Sequence, residues 1–170
     1  VKDSDGKTVS IDQCTGRAIK RNAVVPFTDN SSKPTVATID GEEYSTLNAA
    51  VAEATDGATI KLVSDVTTVK VPIGKSVTFD LDGNTVTADD DVFFVAKDGL
   101  TVNFTNGNIV STKYSGLFFK QGLKDENITF DNCNITGVEG AIATSTLTGS
   151  SITINGGTFV SSNNAVILTN

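Results

Sequence analysis

The chain has 170 residues, a formal net charge of −7, 38% hydrophobic residues, and no His, Met or Trp. That size suits one domain plus an arm, and no apolar run approaches membrane-spanning length. Thirteen Lys and Arg against 20 Asp and Glu argue against a nucleic-acid surface, while the missing His removes Ser-His-Asp, Cys-His and ordinary zinc chemistry.

Residues 1–36 read as an arm and linker ahead of a main domain at 37–170. Asp3-Ser4-Asp5-Gly6 forms a turn, Lys7 to Ile11 suits a short strand, and TDNSSKP at 28–34 is a polar linker. Arg17 to Phe27 sets both arginines of the chain beside an apolar cluster. Two readings of it stay open. Ala23 to Phe27 packs along the side of the domain, or Arg17, Arg21, Val24, Val25 and Phe27 anchor the chain to a capsid, a cell-wall component or a sister subunit. Because the chain begins at Val1 and not at Met, it is read as processed or as part of a longer protein.

The next element is a helix over 45–54. Ser45 suits the N-cap, Leu47, Ala50, Val51 and Ala54 make an apolar stripe, and Asp56-Gly57 ends it. Then comes a degenerate coil, with Ile60, Leu62 and Val66, then Val69, Val71 and Ile73, and Val77 leading onward. A solenoid exposes an apolar cross-section and strand edges at its ends, and a helix at this place would cover one of them.

Beyond it one phrase returns four times: FDLDGNTV at 79–86, VNFTNGNI at 102–109, ITFDNCNI at 128–135 and ITINGGTF at 152–159. Aligning Leu81, Phe104, Phe130 and Ile154 gives steps of 23, 26 and 24 residues. Phe79, Val102, Ile128 and Ile152 then share an upstream column, and Val86, Ile109, Ile135 and Phe159 a downstream one. Polar residues alternate with these, as in strands buried on one face. A second apolar patch follows each phrase, at 92–95, 117–119, 141–143 and 165–168. A period in this range marks a solenoid, whose units bury their apolar faces by stacking. Each unit is expected to be a strand, a tight turn, a short strand, a bend and another strand. Asp82-Gly83, Asn106-Gly107 and Gly156-Gly157 also suit hairpin turns, so an antiparallel sandwich is the competing fold, although nothing in a sandwich requires matching side chains at four equivalent places. The period favours an all-β parallel β-helix of about five coils.

Residues 37–87, ATIDGEEYSTLNAAVAEATDGATIKLVSDVTTVKVPIGKSVTFDLDGNTVT, resemble the opening of a right-handed β-helix of the pectin-lyase-like class. Such openings occur in large surface proteins of gut and soil bacteria and in phage-encoded virion proteins. The helix, the DGATIKL step and the SVTFDLDGNTV step carry the resemblance, which continues through the repeats to Asn170. It implies an extracellular place on a virion or bacterial surface, and a homo-oligomer, a trimer by analogy with β-helical fibres. Its function is expected to be structural or adhesive, with a host glycan as a ligand and no cofactor. The alternative is a polysaccharide lyase or glycoside hydrolase, because this scaffold carries enzymes and inert spacers alike.

Catalysis would have to come from carboxylates. Asp80, Asp82 and Asp131 project outward, and Asp82 and Asp131 fall two coils apart in one column, about 10 Å, within the inverting range. Lys97, Lys113 and Lys120 are the basic candidates by default. Asp89, Asp90 and Asp91 form the densest acidic cluster, read as a solvated bend or as a calcium site of oxygen ligands. Cys133 falls in the turn column with Asn84, Gly107 and Gly157, so it reads as a small residue filling a bend, with a Cys14–Cys133 disulfide as the other reading. Sequons at Asn30, Asn103, Asn127 and Asn134 include two inside the strand phrase, where glycans would crowd neighbouring coils; this favours a bacterial or phage source.

Overall fold

The structure, a computed structural model, describes residues 34–144, 146–164 and 166–169. The chain enters through an antiparallel hairpin of β1 (Ala37–Ile39) and β2 (Glu42–Tyr44), followed by the helix α1 (Leu47–Glu53). Five rungs then follow. The first is β3 (Ala58–Leu62), β4 (Val66–Thr68) and β5 (Val71–Ile73); the second is β6 (Val77–Asp80), β7 (Thr85–Ala88) and β8 (Phe93–Val95). The third is β9 (Thr101–Ser111) and β10 (Ser115–Phe119), and the fourth is β11 (Asn127–Gly137) and β12 (Gly140–Thr144). The last is β13 (Ser151–Asn155), β14 (Phe159–Ser161) and β15 (Ile167–Thr169).

Equivalent strands of successive rungs pair in parallel, and the chain makes a parallel β-solenoid of about four turns. One stack runs β3-β6-β9-β11-β13 and another β5-β8-β10-β12-β15. A third joins β4 to β7, and then the second halves of β9 and β11 to β14. No hairpins form at the repeated turn dipeptides. In the third and fourth rungs the chain runs as one strand of 11 residues, kinked where Asn106 and Asn132 take φ of 55° and 54°. Asn tolerates that left-handed conformation better than most residues. A single left-handed residue turns the strand without breaking its ladder, so a hairpin-type dipeptide here redirects the chain and does not reverse it.

The interior follows from the alternation. Phe79, Phe104 and Phe130 are fully buried and stacked, with ring centroids 5.1 Å apart and interplanar angles of 9° and 11°. Phe93 from the facing stack meets Phe79 and Phe104 at 4.8 and 4.9 Å, tilted and edge-on. Offset and edge contacts of this kind add to the burial of each ring. Nine of the twelve residues in the three expected apolar columns are buried. Ile152 and Phe159 are half-buried and Ile154 is 41% exposed, because among the described residues their rung has a neighbour on only one side.

The register of the second rung differs from the expected one. Phe79 pairs with Phe104 and Val77 with Val102, a step of 25 residues in place of 23, while Val86 still pairs with Ile109. Two extra residues therefore sit in the bend between β6 and β7. Asp82 and Gly83 both have positive φ there, 48° and 83°, and Asn84 N donates to Leu81 O at 2.8 Å. The looped-out Leu81 remains buried by leaning on the next rung. A Cβ at Gly107 would lie 2.4 Å from its Cβ and 2.7 Å from Asn84 O, so only glycine fits at 107.

The helix is shorter than expected and starts one residue later. Thr46, not Ser45, is the N-cap, its Oγ1 accepting from Ala49 N at 3.2 Å. Leu47, Ala50 and Ala54 are buried in the core beside the first rungs, while Val51 is half-buried.

Candidate functional site

Two places gather the chemistry-bearing residues: the outward face of the first stack, and the bend before β8. On the first stack Lys61, Asp80, Thr105, Asp131 and Asn155 follow one another at equivalent positions. Asp80, not Asp82, is the residue that shares a column with Asp131, for the two-residue reason given above. At about 4.8 Å per rung the two carboxylates are ~10 Å apart, with Thr105 between them. Each is already engaged. Asp80 Oδ1 accepts from Asp82 N at 3.2 Å and from Thr105 Oγ1 at 3.4 Å, and Asp131 Oδ1 accepts from Asn155 Nδ2 at 2.6 Å. Asp82 leaves the column and pairs with Lys61 at 3.1 Å, which together with its charge raises the pKa of that lysine.

The same rung-to-rung bonding recurs on that face, where Asn103 Nδ2 donates to Thr78 Oγ1 and Ser151 Oγ to Asn127 Oδ1, and on the third stack, where Asn134 Nδ2 donates to Asn108 Oδ1. These columns use side-chain groups that would otherwise meet a ligand.

At the second place Lys70 bridges Asp90 and Asp91, at 3.1 and 3.3 Å. Asp91 is buried and its Oδ1 also accepts from Ser115 N at 3.1 Å, while Asp90 Oδ1 accepts from Asp91 N at 2.7 Å. For Asp90, burial opposes the charge, but the Asp91 N–H and Lys70 outweigh it and lower its pKa. The cluster Asp89-Asp90-Asp91 is thus partly consumed by a lysine, and no group of three or more metal-ligating side chains occurs among the described residues. Lys70 also lies 5.7 Å from the Phe94 ring centroid, and Phe94 stacks on Phe118 at 5.9 Å and 17°. Both rings face outward and are half-buried. Phe94 carries both Phe118 and Lys70 against its ring, so it is a poor platform for a sugar ring, which needs an open aromatic face.

Lys113 lies 4.7 Å from the Tyr114 ring centroid, away from the Asp80–Asp131 column. Beside α1 an open concavity of about 360 Å³ is lined by Val36, Thr46, Asn48, Asp65, Thr67 and Val69 among others. Its one carboxylate, Asp65, accepts from Thr85 N at 2.8 Å, so paired-carboxylate chemistry has no place there. Cys133 is buried and free, opposite Gly107, and burial raises its pKa. Arg17, Arg21, Val24, Val25, Phe27 and Cys14 lie outside the described residues.

Sequence reasoning passed over Lys61, Lys70, Phe94 and Phe118. The two phenylalanines carried a usable signal: in the neighbouring pairs Phe93-Phe94 and Phe118-Phe119, strand alternation forces one ring outward. The lysines had none, since their partners lie 20 or more residues away. Comparison with protein-family models, curated proteins and solved structures gives no match for this chain.

Proposed function

We propose that this chain is a non-catalytic structural or adhesive module of a bacterial surface or a virion, built on a pectin-lyase-like solenoid and anchored through its N-terminal arm. The observation that carries this reading is the outward face of the first stack. Its polar side chains hydrogen-bond from rung to rung, and its acids are engaged with Thr105, Asn155 and Lys61. Such a face stiffens a rod and leaves few groups free for a reacting substrate. The anchoring role of Arg17, Arg21, Val24, Val25 and Phe27 rests on the sequence, and host-glycan binding on the Thr- and Asn-rich surface.

One arrangement favours a second reading, a polysaccharide lyase or hydrolase. Lys61 contacts Asp82 and neighbours Asp80, which sets two acids beside a cation of the kind that holds an acidic sugar. The deciding experiment incubates the full chain with acidic and neutral polysaccharides, with and without calcium. No release of unsaturated or reducing ends is expected. Release that disappears in Asp80→Asn or Lys61→Met would establish the enzyme instead.

A further inference from the structure

We draw no further inference here: the strongest candidate, the apolar column that Pro72, Phe94, Phe118 and Ala143 form on the outward face of the β5-β8-β10-β12 stack, is an unpartnered sheet face, and nothing in the structure shows what covers it.

Discussion

Phe104 sits between Phe79 and Phe130, with Phe93 at its edge, so truncation there leaves a void that rings on both sides must border. Phe104→Ala should cost about 3–5 kcal/mol in urea unfolding, as expected for a large side chain in a close-packed core. Phe94→Ala, which removes a half-buried outward ring, should cost clearly less. The same residues show what was legible in the sequence. Alternation told inside from outside correctly, because a strand has a side-chain period of two. It could not tell Phe79 from Leu81 as the partner of Phe104, since a slip of two residues preserves that parity. Only the clash that a side chain at 107 would make with Leu81 and Asn84 reveals the extra pair in the bend. That slip also put Asp82 in place of Asp80 in the candidate acidic column.

At the scale of elements, α1 was visible as an apolar stripe, but its cap was not. Ser45 and Thr46 are chemically alike, and only the direction of the chain leaving β2 decides which hydroxyl reaches Ala49 N. The bend before β8 was less legible. Asp89-Asp90-Asp91 looks like a solvated run because its partner, Lys70, comes from the preceding rung. That contact has a measurable signature in acid. The pKa of Asp90 is lowered from its ordinary value of 3.8, so the pair adds stability above that value and loses it as pH falls through the lower, folded-state pKa. Lys70→Met should therefore melt at a lower temperature than wild type at neutral pH. The gap should narrow as pH drops below 3.8, and narrow again in high salt, since both groups are more than a third exposed. A gap that stays constant into acid would assign the loss to the packing of Lys70 on Phe94 alone.

The whole molecule was the most legible level. Four copies of one phrase define a stacked architecture whatever the details of each copy, because every rung must present the next with a matching apolar edge. Function was the least legible level, for a related reason. A repeat that keeps Thr, Asn and Asp in outward columns is selected by the stacking itself, and those side chains bond to their own equivalents.

The spacing of the rungs also has a mechanical consequence. Equivalent positions in the first stack lie 25, 26 and 24 residues apart along the chain, from Phe79 to Phe104, Phe130 and Ile154. A rod pulled by its last strand would peel from that strand inward, because each rung is held only by its neighbour and α1 secures the far end. Every rung that detaches would release about 80–90 Å of extended chain, at roughly 3.4 Å per residue. A force–extension trace of a single molecule should then show a staircase of nearly equal steps, with the largest force when the Phe79–Phe104–Phe130 stack parts. Tethered between a surface and its target, such a module would yield under load in measured lengths and wind back when the tension falls.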